Sequence, residues 1–157
     1  MVYWKASKER TAMKFSTKSR YALRLMLELA GEPEGTPLSI KEIARRQSIS
    51  DKYLEQIVSV LNTAGLVRSV RGPQGGYILR KTPQEITVGM ILRLTEGSLA
   101  PVGCVEEDTP CEREAACVTV GLWRRLNQAI NEVVDHTTLQ DLLDDQKTGG
   151  SEPESDG

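Results

Sequence analysis

Aromatic residues are scarce in this chain, at 4% of 157 residues, with one phenylalanine and two tryptophans. Any core must therefore rest on Leu, Ile, Val and Ala. No apolar run is long enough to cross a bilayer. The N-terminus, MVYWKASKERTA, lacks the apolar centre of a secretory signal. A cytoplasmic chain with no membrane contact is expected. The usual signs of catalysis are also missing: no Ser or Cys beside a base, no paired carboxylates in a credible pocket, and no phosphate-cradling glycine loop. The one Gly-rich run, Gly72-Pro73-Gln74-Gly75-Gly76, precedes a strand rather than a helix, so it is not a nucleotide loop. An enzyme is not expected. Histidine occurs once, at His136. Cysteine is absent outside residues 104–117.

The charge is present but segregated. The formal net charge is -2. Residues 1–81 hold 15 Lys+Arg and 7 Asp+Glu, a net of +8, and residues 82–157 hold 5 and 15, a net of -10. Counterion release at phosphates favours nucleic acid on the first half only.

Residues 1–12 read as an N-terminal extension, with Met13 a candidate start. From Ser16, with Ser16 or Thr17 as cap, Ala22, Leu25, Met26 and Leu29 repeat at helical spacing, and Gly31, Pro33 and Gly35 stop the helix. Ser39 and Glu42 have capping-box spacing and open a short helix over 40–46. Ser48-Ile49-Ser50 is a turn, and Ser50 caps a helix over 51–64 whose buried stripe is Leu54, Ile57, Val58, Leu61 and Ala64. Gly65 ends it. Leu66–Arg71 alternates as a strand, the Gly-rich run turns, and Tyr77–Leu79 returns. Thr87 opens a further helix through Val88, Ile91 and Leu92.

This order is mainly α: a winged helix-turn-helix over 13–96 with a two-stranded wing. A cysteine loop follows over 97–117. A long amphipathic helix over 118–136 carries Leu122, Trp123, Leu126, Ile130, Val133 and Val134 on one broad face. That face needs a partner, and a second copy of the chain is expected, since such readers meet pseudo-palindromic duplex sites as dimers. The 118–143 segment is read as this dimerisation helix plus a C-terminal helix, and 144–157 as a disordered acidic tail.

In a helix-turn-helix the second helix enters the major groove, so its exposed face should be polar near the N-terminus. Ser50, Asp51, Lys52, Tyr53, Glu55, Gln56 and Ser59 meet that condition. Acidic groups can accept from cytosine N4, and glutamine can pair with adenine. Arg68 and Arg71 precede the thin wing tip, where Gly75 lies, and arginine favours the negative potential of a minor groove. Lys14, Lys18, Arg20, Lys41, Arg45 and Arg46 are candidate phosphate contacts, Lys18 and Arg20 lying near helix-start amides that also attract phosphate. Taken singly, each cation is equally a solvated surface residue.

The thiols are spaced Cys104-x6-Cys111-x5-Cys117, wider than the paired knuckles of structural zinc sites. Such spacing suits wrapping an iron–sulfur cluster. Zinc, a thiol–disulfide switch or no metal remain open. His136 lies 19 residues past Cys117. That is roughly 28 Å along a helix, which favours a helix-terminal role over a ligand's. Glu106, Glu107, Asp108, Glu112 and Glu114 are possible oxygen ligands, or a solvated loop that raises thiol pKa.

From Met13 to Leu143 the chain resembles the winged-helix transcriptional regulators of the IscR/NsrR/CymR type, the Rrf-two family, and the IscR branch in particular. The matching residues are MKFSTKSRYAL, SISDKYLEQI, LVRSVRGPQGGYIL and a cysteine loop followed by Leu-Trp-Arg. The resemblance implies a homodimer on a palindrome-like operator, joined by a long helix. It implies that Cys104, Cys111 and Cys117 hold a [2Fe–2S] cluster, that Glu55 tunes operator choice, and that Arg71 enters the minor groove. Val120 stands where the pattern has a histidine, Arg20 where some members have an acidic ligand, and the first cysteine spacing is one residue longer. Other members answer to a sulfur-metabolism enzyme rather than to a cluster, which keeps a cluster-free repressor in view.

Overall fold

A computed structural model describes residues 15–106 and 118–149. The order is α1 (Thr17–Gly31), α2 (Ile40–Gln47), α3 (Asp51–Thr63), β1 (Val67–Val70), β2 (Gly76–Leu79), α4 (Val88–Glu96), a 3-10 turn (Gly103–Val105), α5 (Val120–His136) and α6 (Leu139–Lys147). Short hydroxyl side chains start most of these helices. Ser16, Ser39, Ser50, Thr87 and Thr138 each accept from the backbone amide three residues on, at 3.1–3.2 Å. Each satisfies one of the amides that a helix start leaves unpaired.

One expected cap is only half made. Ser39 receives the Glu42 amide, but Glu42 does not reach back. Its carboxylate takes the Arg45 guanidinium through two bonds, at 2.7 and 3.0 Å, and Arg46 Nε at 2.9 Å. Arg46 also pairs with Glu28 (3.1 Å) and Glu32 (2.8 Å), tying α2 to the end of α1. Two cations one turn away outcompete a backbone amide for the same oxygens.

The apolar stripes converge as the spacing predicts, except that Ala64, expected in the α3 stripe, is the exposed C-cap of that helix. Leu25 and Met26 from α1, Ile43 from α2, and Leu54, Ile57 and Leu61 from α3 are fully buried together. Each such side chain contributes about 1.5–3 kcal/mol of burial. Between α2 and α3, Ser48 takes the left-handed conformation (φ 55°), which drops Ile49 into the core.

β1 and β2 pair antiparallel, with Arg68 opposite Ile78 and Val70 opposite Gly76. The wing is tied down by a bridge between Leu38 and Tyr77, with amide–carbonyl bonds of 3.1 and 2.9 Å. Gly76 permits that approach: a Cβ there would lie 2.3 Å from the Leu38 carbonyl oxygen.

α5 leaves the winged domain along α4, and α6 returns to it. Thr87 and Thr138 form a bridge, Leu139 is fully buried in the winged core, and Leu143 approaches Gly31. The expected tail start at 144 is too early. Asp144–Lys147 form the last turn of α6, held by the Thr138–Asp141 cap and a 2.8 Å bond from Gln140 to Asp144. Residues 150–157 of that expected tail, and residues 1–12, lie outside the described residues.

Two outcomes test these contacts. Gly76→Ala should destabilise the fold by about 2 kcal/mol through a backbone clash, seen as a lower urea midpoint with unchanged slope. Hydrogen bonds from Arg45, then Arg46, hold the Glu42 carboxyl at about 2, below its ordinary 4.5. A lowered carboxylate stabilises the fold above its unfolded pKa and loses that contribution as pH falls through the folded value. Glu42→Gln should therefore be less stable than wild type at pH 7, and the gap should close on acidification from about 4.5 toward 2. A gap that does not change over that range in urea melts would contradict the ion cluster.

Candidate nucleic-acid interface and thiol turn

The buried stripe of α3 leaves its opposite face to solvent, and that face carries the expected reading residues. Ser50, Asp51, Lys52, Glu55, Gln56 and Ser59 are all exposed. Lys52, Gln56 and Ser59 follow three- and four-residue steps, so they project from one side. Tyr53 is half-buried. Its ring meets Tyr21 edge-on at 5.6 Å, and the Arg24 guanidinium lies 5.4 Å from the Tyr21 ring centre. Tyr53 thus braces the recognition helix on α1 as well as bordering its outer face.

The wing presents Arg68 and Arg71 exposed, ahead of a tip in which the Gly75 amide donates to the Gly72 carbonyl (2.9 Å). Lys41 is exposed on α2, Arg20 is exposed on α1, and Lys18 there is half-buried. Lys14 lies outside the described residues. Arg45 and Arg46 are already paired with acidic neighbours, although the Arg45 side chain stays 72% exposed. The structure also alters the expected role of the α1 amides. Ser16 takes the Ser19 amide, and Glu96 takes the Ser16 amide and the Ser19 hydroxyl (2.6 Å). Burial works to raise the Glu96 carboxyl, but those hydrogen bonds outweigh it and leave it below its usual range. A carboxylate therefore already holds the N-cap amide of α1.

Of the thiols, Cys104 is described. It is exposed in the 3-10 turn, which packs against α5. Cys111 and Cys117 lie outside the described residues. Val120 is buried in the first turn of α5 and offers no donor atom. His136 ends α5 with Nδ1 2.8 Å from the Glu132 carbonyl oxygen, a helix-terminal role as expected.

The apolar face of α5 is split. Leu122, Leu126 and Val133 are exposed, Val133 to 67%, and Trp123 and Ile130 are half-buried. Val134, expected on the same outward face, is instead covered by its own chain and reaches Gly89 of α4. A groove of about 460 Å³ runs beside the outward residues, lined by Phe15, Leu99, Ala100, Ile130 and Val133 among others. Sequence reasoning missed Arg93, which donates to Asp135 and to Asn131 (2.8 Å) across the α4–α5 crossing. The partners are about forty positions apart, and no local pattern marks them.

Comparison with known proteins agrees with this geometry. The Rrf2 family, described as "Iron-dependent Transcriptional regulator", matches residues 15–145. The chain is 48% identical over 130 residues to the HTH-type transcriptional regulator CymR of Bacillus subtilis (strain 168), covering 83% of this chain and 89% of that protein. It is 38% identical over 135 residues to the HTH-type transcriptional regulator IscR of Pectobacterium atrosepticum, covering 86% and 82%. Identity is thus higher to this CymR than to this IscR. The solved structure of CymR (YrzC), the global cysteine regulator of B. subtilis, superposes with a TM-score of 0.69 at 47% identity, covering 82% of this chain and 95% of that one. The chain belongs to the Rrf2 family of DNA-binding transcriptional regulators.

Proposed function

We propose that the protein is a cytoplasmic homodimer that binds a pseudo-palindromic duplex operator, with affinity set by the chemical state of Cys104, Cys111 and Cys117. The carrying observation is the place of Cys104. It sits on an exposed turn packed against α5, between the helix that closes the winged domain and the helix that carries the outward apolar face. Chemistry at the thiols then acts where the two reading heads are joined.

Three thiolates are the donor class that an iron–sulfur cluster takes, and a [2Fe–2S] cluster is the first reading. When bound it supplies a group whose charge and occupancy respond to oxidants and iron supply. Val120 is unsuited as the fourth ligand, so that donor comes from elsewhere. Glu106, exposed at the end of the 3-10 turn, is the described carboxylate nearest in sequence to Cys104. The buried Val120 also favours a second reading, a cluster-free repressor governed by the thiols themselves or by a sulfur-metabolism enzyme.

On the duplex, Glu55 and Gln56 face base edges, while Lys18, Arg20, Lys41 and Arg68 meet phosphates and Arg71 enters the minor groove. Phosphate contacts set affinity and register, and base contacts set sequence. Gln56→Ala should cost about 1–3 kcal/mol at one base pair and relax preference there. Arg68→Ala should weaken all sequences and flatten the salt dependence by about one unit of slope. Fluorescence anisotropy against selected duplexes over a salt series separates the two.

Anaerobic purification with visible absorption, iron and sulfide assays tests the thiol site. Broad visible bands with matched iron and sulfide are expected. A chain that stays colourless and iron-free after anaerobic reconstitution would sink the cluster reading and leave the thiol or partner-controlled one.

A further inference from the structure

The far end of α5 is fixed to the winged domain by backbone bonds. The Val88 amide donates to the Thr137 carbonyl (2.8 Å), and the Leu139 amide to the Ile86 carbonyl (2.9 Å). Those bonds anchor one point. They leave the direction of the helix to whatever restrains it nearby.

Arg93 supplies that restraint. Its two terminal nitrogens reach Asp135 Oδ1 at 2.5 Å and Oδ2 at 3.0 Å, and the second also reaches Asn131 Oδ1 at 2.8 Å. A planar guanidinium bound this way fixes orientation as well as distance. One turn earlier, Gly89 lets the helices close: a Cβ there would lie 2.3 Å from Asp135 Oδ1 and 3.2 Å from Val134. The latch also borders a polar cleft of about 480 Å³ that Val105 and Glu106 of the thiol-bearing segment help to line. A change at that segment therefore has a direct physical route to the latch.

We infer that Arg93 is the positioning residue that sets the angle of α5 on the winged domain, and thereby the separation of the two recognition helices on an operator. This rests on the dimeric operator reading above. The lever is long. Val120 lies 15 residues before Asp135. That is about 22 Å, so a tilt of about 10° moves that end by about 4 Å. One base pair advances about 3.4 Å along the duplex, so loosening the latch should be read as lost discrimination at the one-base-pair level.

The full chain would first select duplexes from a random library. Anisotropy would then compare the preferred spacing with spacers one and two base pairs longer or shorter. Arg93→Met and Asp135→Asn should bind the preferred spacing about tenfold more weakly and lose most of the penalty at altered spacings. The oligomeric mass should not change. The double exchange Arg93→Asp with Asp135→Arg should restore the spacing preference. Asn131→Ala removes one bond from a partly exposed residue and should shift discrimination the same way by less, which keeps the test alive should Arg93→Met fail to fold. Uniform weakening at every spacing, or wild-type discrimination in the variants, would overturn the latch alone. A wild-type chain that selects no duplex, or binds only single half-sites, would overturn the dimeric reading and the latch's role together.

Discussion

A recognition helix can offer a polar face to DNA only while its other face is held elsewhere. Here the burial of Leu54, Ile57 and Leu61 against Leu25 and Met26 does that holding. Most of the remaining architecture depends on it. The left-handed Ser48 drops Ile49 beneath the turn, Tyr53 leans on Tyr21, and the Leu66–Val67 entry to the wing continues from the same buried layer. Without that layer, α3 would be a 13-residue helix near the margin of independent stability.

Electrostatics on the basic half follow a division of labour. Arg24, Arg45 and Arg46 are engaged by neighbours of their own chain, through Gln47, Glu28, Glu32 and Glu42. Lys41, Arg68 and Arg71 stand exposed on α2 and the wing. Among the described residues, the cations of the basic half left without an acidic neighbour are therefore fewer than a count of lysines and arginines suggests.

Much of this was readable from sequence because it is local. Caps at Ser16, Ser39, Ser50 and Thr87 act over three residues, and the stripes of α1 and α3 repeat every three or four. The hairpin announces itself through Gly72 to Gly76. What escaped is non-local or decided by competition. Glu42 had two possible partners within a turn, and the pattern could not show that arginine wins. Glu96 reaches Ser16 across 80 positions, and Arg93 reaches Asp135 across 42. Val134 looked like part of an outward apolar face until the crossing with α4 was known. The end of α6 was misjudged because Asp144 and Asp145 resemble a solvated tail, whereas Leu139 in the core keeps the helix going.

The Leu38–Tyr77 bridge joins the wing to the segment that leads into α2. Two backbone hydrogen bonds therefore tie that segment to the wing, and α2 and β1 both pack against α3. In the operator reading proposed above, these contacts set the distance between the recognition helix and the wing before DNA is met. Little conformational freedom then remains to be lost at the interface. A duplex whose groove widths do not match that preset distance must itself deform, so the shape and stiffness of the DNA become part of what this protein can distinguish.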